Sequence, residues 1–212
     1  AIFDSLDGMM ARITKSASAF GIEFDSLSDI ISFGAAPAFL VFAVHLHTLE
    51  GLGVLLSSLL LVFGGIRLAR FNVQLVGFDK EYFTGLPIPS SAITVASFVL
   101  MFYDNTLGLN GLTRKLLAPM VITLSLLMVS RVKYDALPEF TKRGIKKHPW
   151  RFMTFTAGMV AIVVTRGTAI FPFFVLFVLS GPLRVFSTTV WNVIHHVPKV
   201  EEEESEATTI DI

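Results

Sequence analysis

Long apolar runs separated by short polar connections dominate the chain, the plainest being Leu52 to Ile66, Ile88 to Tyr103, Leu116 to Val132, Phe152 to Thr165 and Ala169 to Phe186. A helix needs roughly 20 mostly apolar residues to cross about 30 Å of hydrocarbon. With their flanks, the runs predict helices over Ile2 to Ala19, Ser26 to His47, Leu52 to Leu75, Ile88 to Tyr103, Arg114 to Val132, Trp150 to Thr165 and Thr168 to Val193. Pro and Gly interrupt some of them, which neighbouring helices tolerate inside a membrane. The connections Thr48 to Gly51 and Arg166 to Gly167 are short, as between antiparallel neighbours in a bundle. Gly77 to Pro87 and Lys133 to Pro149 are longer and polar. The pattern reads as an all-α, polytopic transmembrane helix bundle with no internal repeat.

Composition strengthens that picture. Of the 212 residues, 53% are hydrophobic and 16% charged, and a mean hydropathy of +0.68 exceeds what a soluble core needs. The formal net charge of zero gives no global basic bias toward nucleic acid, and the lack of cysteine excludes disulfides and thiolate metal sites. The expected organisation is a transmembrane body over residues 1–198 and an acidic tail over 199–212, disordered because Glu201 to Glu206 carries charge without apolar periodicity. Ala1-Ile2-Phe3 opens like the end of an apolar segment, so at least one upstream helix is expected outside the chain.

Cytoplasmic loops carry the excess of Lys and Arg. Lys133, Lys142, Arg143, Lys146, Lys147 and Arg151 therefore place their connection in the cytoplasm. Alternation then puts Arg12, Lys15, Gly77 to Pro87 and the tail on the same side, with Thr48 to Gly51 and Asp104 to Thr113 outside. Arg114 and Lys115 go against that bias and are expected at the outer interface. His45 and His47 fall near the same outer end. Lys142 to Lys147 is suited to anionic headgroups, or to a plain positive anchor.

Four carboxylates lie in or beside the first two predicted helices: Asp4, Asp7, Asp25 and Asp29. At the centre of a bilayer a carboxylate costs at least about 2.5 to 3.5 kcal/mol, so these groups call for partners. On a helix Asp4 and Asp7 are i, i+3 neighbours, and Asp25 and Asp29 are i, i+4 neighbours, so each pair projects from one face. Gly8 and Ala11 continue the first face with almost no side chain, which allows close approach to the backbone. Four converging carboxylates cannot all stay ionised without cations, and hard oxygen donors favour Mg²⁺, Mn²⁺ or Ca²⁺. Paired ions about 3.5 to 4 Å apart are a recurring device in phosphoryl chemistry. Arg12 would add a phosphate contact. The competing reading is a polar helix seam or a proton path in a carrier.

The run Asp4-x2-Asp7-Gly8-x2-Ala11-Arg12-x8-Gly21-x3-Asp25-x3-Asp29 resembles the complete signature of the CDP-alcohol phosphotransferases, with every fixed position and spacing present. The resemblance implies that fold type, with Asp4, Asp7, Asp25 and Asp29 holding two divalent ions, Mg²⁺ or Mn²⁺. It further implies that Asp29 is the base toward the acceptor hydroxyl, and that Gly8, Ala11, Arg12 and Gly21 shape the CDP pocket. A homodimer is implied in the same way.

Three further segments are similar to the phosphatidylserine synthase branch: Ser32 to Ala38, Arg67-Leu68-Ala69-Arg70-Phe71-Asn72, and Phe83 to Ala92. Together with the signature they cover roughly the first hundred residues. They imply CDP-diacylglycerol as donor and L-serine as acceptor, at the cytoplasmic face of a prokaryotic inner membrane. Arg67 and Arg70, in an otherwise apolar helix, call for an anion or for snorkelling to headgroups. Asn72 binds substrate or caps its helix. Gly85 to Ser91 forms a pocket wall or a plain helix entry. Rival readings are another acceptor alcohol, such as glycerol 3-phosphate or an inositol phosphate, and a non-enzymatic ion or solute carrier.

Overall fold

The computed structural model describes residues 19–74, 82–104, 106–135 and 149–194. The first predicted helix, the acidic tail, Lys142 to Lys147 and the predicted site residues Asp4, Asp7, Gly8, Ala11 and Arg12 lie outside the described residues.

The first rod is α1 (Ala19–Ile30), a π-turn (Ile31–Ala35) and α2 (Ala36–Val44). Pro37 sits in the first turn of α2. It lacks an N–H and crowds the carbonyl a turn back, and the helix widens just before it. The Ala36 N–H accordingly reaches back five residues to the Ile31 carbonyl. A 3₁₀ turn (Leu46–Leu49) reverses the chain into α3 (Glu50–Gln74). Then follow β1 (Tyr82–Thr84), α4 (Ile88–Phe102), β2 (Tyr103–Asp104), β3 (Gly108–Leu109), α5 (Gly111–Val129), β4 (Lys133–Asp135), α6 (Pro149–Val164) and α7 (Ile170–Ile194).

Helix α3 is the centre of the bundle, packing along α5 on one side and against α2 and the π-turn on the other. Helix α4 packs along α7, where Phe98 and Phe102 meet Phe171 with ring centroids 5.5 and 5.4 Å apart. The core of Val41, Leu46, Leu60, Leu86, Val95, Leu117 and Val121 is sealed from solvent. Much of the exterior is as apolar as the interior, with Leu100 83% exposed and Phe39 72% exposed. That surface suits hydrocarbon rather than water. Four described stretches are long and apolar enough to cross a membrane: Phe24–Val44, Leu46–Asn72, Gly111–Val129 and Ile170–Thr188. Ile88–Phe102 is a shorter apolar helix.

Six of the predicted helices are present, joined where short connections were predicted by the 3₁₀ turn at Leu46–Leu49 and by a turn that includes Arg166 and Gly167. The ribbons were not foreseen. β1 pairs antiparallel with β4, Phe83 opposite Tyr134, so the two long polar connections meet at one end of the bundle. β2 pairs with β3 at the other end, where Asn110 caps α5 by accepting from the Thr113 N–H.

Candidate functional site

Gly21, Asp25 and Asp29 all lie on α1, spaced by four residues and therefore stacked along one face. The described helix runs from Ala19, ahead of the expected Ser26. The Ser26 hydroxyl is not capping a helix end; it receives the Asn72 side-chain amide at 3.0 Å. Asn72 therefore ties α3 to α1 between the two carboxylates. Asp25 is exposed and Asp29 half-buried.

Facing them from α3, Arg67 is buried with 8% of its surface exposed. It lies close enough to Asp29 for the two charges to attract. Its guanidinium carbon sits 5.1 Å from the ring centroid of Phe71, one turn further along the helix. A guanidinium held among apolar side chains is an anion-seeking group. Snorkelling does not describe Arg67, whose head is enclosed.

Arg70 is exposed, and its Nη1 donates to the Val129 carbonyl at 2.8 Å. Val129 is the last residue of α5, where unsatisfied carbonyls and the helix dipole favour a cation. The same helix end is closed by the turn before α4. The Leu86 N–H donates to the Leu127 carbonyl at 3.0 Å and the Gly85 N–H to the Val132 carbonyl at 2.8 Å. Gly85 adopts φ 81°, and a Cβ there would stand 2.3 Å from the Met128 carbonyl oxygen. Pro87 then opens α4, and its carbonyl receives the Ser90 and Ser91 N–H groups. Gly85 to Ser91 is thus a helix entry, folded onto the α5 end that Arg70 caps.

His45 and His47 lie at the opposite end of the bundle, as expected. Arg114 Nε donates to His45 Nε2 at 3.3 Å, which places this basic residue beside the 3₁₀ turn. Among the described residues no group of three or more His, Cys, Asp or Glu side chains is gathered as a metal site. The described half of the predicted donor set, Asp25 and Asp29 one helical turn apart, consists of hard oxygens and fits Mg²⁺ or Mn²⁺.

Residues 1–132 match the CDP-alcohol phosphatidyltransferase family. The chain belongs to that family. Relatives within it include the CDP-diacylglycerol–serine O-phosphatidyltransferase of Helicobacter pylori, 38% identical over 187 residues, which covers 86% of this chain and 75% of the relative. The protein of the same name from Bacillus subtilis is 32% identical, covering 69% of this chain and 76% of its own. The archaetidylserine synthase of Methanothermobacter thermautotrophicus is 42% identical, covering 63% and 53% respectively.

Several residues that build this part of the family fold escaped the sequence reading. Ser26 looked like a helix start, and only its cross-helix partner shows otherwise. The i, i+4 spacing of Arg67 and Phe71 was a usable signal for their contact. Nothing in the sequence announced that backbone carbonyls of α5 would receive Arg70.

Proposed function

We propose that this chain transfers the phosphatidyl group of CDP-diacylglycerol to the hydroxyl of L-serine, forming phosphatidylserine and CMP. The observation that carries the reading is the half-buried Asp29 of α1 set beside the buried Arg67 of α3. The serine-transferring names of the relatives support serine as acceptor, and the archaeal relative keeps serine in its name while the lipid part differs.

In this reading the serine oxygen attacks the phosphorus that bears diacylglycerol, its proton passes to the Asp29 carboxylate, and the bond to CMP breaks. A carboxylate within hydrogen-bond reach is suited to that transfer. Arg67 holds diphosphate charge from the apolar side, and Arg70 borders the same region while securing the α5 end. Gly21 leaves room beside the carboxylates, as Gly8 and Ala11 do in the signature, and Arg12 adds a phosphate contact. Asp4, Asp7, Asp25 and Asp29 would hold two divalent ions, Mg²⁺ or Mn²⁺, which when bound neutralise the diphosphate and the departing CMP. The site faces the cytoplasm, a placement supported by the Lys and Arg of the connection after α5. A homodimer completes the reading, supported by the family resemblance.

The test is a panel of radiolabelled acceptors offered to the purified protein with CDP-diacylglycerol and Mn²⁺ or Mg²⁺. Serine-dependent CMP release is expected, lost with a chelator and restored by the metal. Asp29→Asn should abolish turnover while leaving the fold intact. Preference for glycerol 3-phosphate or an inositol phosphate would overturn serine, and CMP release indifferent to metal would overturn the carboxylate roles.

A further inference from the structure

Helix α7 contains Pro182. A proline inside a helix has no N–H to give the carbonyl four residues earlier, here that of Val178. Val178 is buried, with 6% of its surface exposed, so its carbonyl has no water to turn to. The partner comes from elsewhere in the chain: the Tyr134 hydroxyl donates to the Val178 oxygen at 3.0 Å. The Tyr134 ring is 1% exposed and fits a notch that only glycine leaves. A Cβ on Gly181 would stand 2.5 Å from its Cζ and 2.7 Å from Cγ1 of Val132. The Phe177 ring completes the seat, its centroid 5.7 Å away. Burial pushes the phenol up to about 12, so it remains a donor at any ordinary pH.

Tyr134 is the middle residue of β4, paired with Phe83 of β1. β1 runs directly into Gly85 and Leu86, whose N–H groups are bonded to Val132 and Leu127. Those residues flank the Val129 carbonyl that receives Arg70. One hydrogen bond on α7 is thus continuous, through a three-residue ribbon, with the helix end that orients the arginine-bearing end of α3.

We infer that Tyr134 is a positioning residue: its hydroxyl, seated on the carbonyl that Pro182 frees, pins the β1–β4 ribbon and so holds the Gly85 turn and the α5 end against Arg70. The effect on catalysis rests on the proposed reaction; the latch itself does not.

The pairing makes an unusual test possible, because Pro182→Ala returns the missing N–H to the Val178 carbonyl. Tyr134→Phe, Pro182→Ala and the double variant would each be purified in detergent. Hydrogen exchange at the Gly85 and Leu86 amides reads the latch, and the KM for CDP-diacylglycerol against kcat reads the positioning. Loss of the pin predicts that Tyr134→Phe speeds exchange and raises KM on the order of tenfold, with kcat within about twofold of wild type. Adding Pro182→Ala satisfies the Val178 carbonyl without restoring the pin, so the double variant should regain thermal stability while exchange stays fast and KM stays raised. Wild-type exchange and KM in Tyr134→Phe, or their full recovery in the double variant, would overturn the inference. If Tyr134→Phe fails to fold, the double variant is read against wild type: faster exchange and a higher KM support the latch, and wild-type values overturn it. A wild-type protein that transfers nothing would overturn the reaction and the positioning role, leaving exchange to decide the latch.

Discussion

The Asn72 side-chain amide donates to the Ser26 hydroxyl at 3.0 Å, fastening α3 to α1 between Asp25 and Asp29. A net hydrogen bond of this kind contributes about 0.5–1.5 kcal/mol. Its larger value here lies in holding carboxylates in register with Arg67, since small misplacements of reacting groups cost rate steeply. Asn72→Ala is expected to lower kcat/KM roughly tenfold while the thermal midpoint falls only a few degrees. Steady-state kinetics beside a melting curve separates the two effects. A variant that melts early but turns over normally would assign Asn72 to stability alone.

Arg67 and Arg70 are three residues apart yet differ in surroundings, one enclosed and the other exposed. A hydrogen bond to a charged group contributes about 1.5–3 kcal/mol, and a buried guanidinium meeting a diphosphate stands at the upper end of that range. Arg67→Met should therefore reduce kcat/KM at least about a hundredfold, and Arg67→Lys should recover little, because a point charge lacks the guanidinium fork. Arg70→Met should lose less than about tenfold, the scale of one charge-assisted hydrogen bond to a helix end. Equal losses in both would show that the difference in burial has no functional meaning.

Gly85→Ala is expected to be structurally damaging. Its φ of 81° is a left-handed conformation, costing a side chain about 1–3 kcal/mol, and the added Cβ would meet a backbone oxygen at 2.3 Å. Gly111→Ala is the control, since a Cβ there meets nothing within 4 Å. Size-exclusion profiles in detergent should show loss of the monodisperse peak for Gly85→Ala only.

Acid should loosen the opposite end of the bundle. The His45 pKa is lowered from its ordinary value by burial first, then by Arg114 and His47. Protonation would also remove the Nε2 lone pair that accepts from Arg114. The folded state holds fewer protons than the unfolded one, so this contribution is fully present above the unfolded pKa near 6.5 and is lost as pH falls through the lowered value. The thermal midpoint should drop between pH 8 and pH 5, and His45→Gln should flatten that drop. An unchanged pH profile in His45→Gln would remove the histidine from the explanation.

Sequence reasoning reached the helices because an apolar run of membrane length leaves the backbone few alternatives. It singled out Asp25, Asp29 and Arg67 as candidates because charge in such a run is expensive enough to mark itself. It missed what side chains do to distant backbone. Val129 and Val178 are ordinary apolar residues in the sequence, and their importance lies in carbonyls whose partners, Arg70 and Tyr134, are 59 and 44 residues away. The ribbons were missed for a related reason: strands of two or three residues carry too little periodicity to register, and their pairing is settled by the helices that bring them together.

The π-turn at Ile31–Ala35 sets the rotational phase of the first rod. Each residue of an α-helix advances the side-chain direction by about 100°. Counted as a plain α-helix, Val41 would stand about 120° around the axis from Asp29. The extra residue in the wide turn removes one step, leaving about 20° between them. The acidic stripe and the sealed apolar stripe are thereby brought into line along a single rod. A helix that must be polar at one depth and apolar at another can in this way keep one neighbour for its whole length.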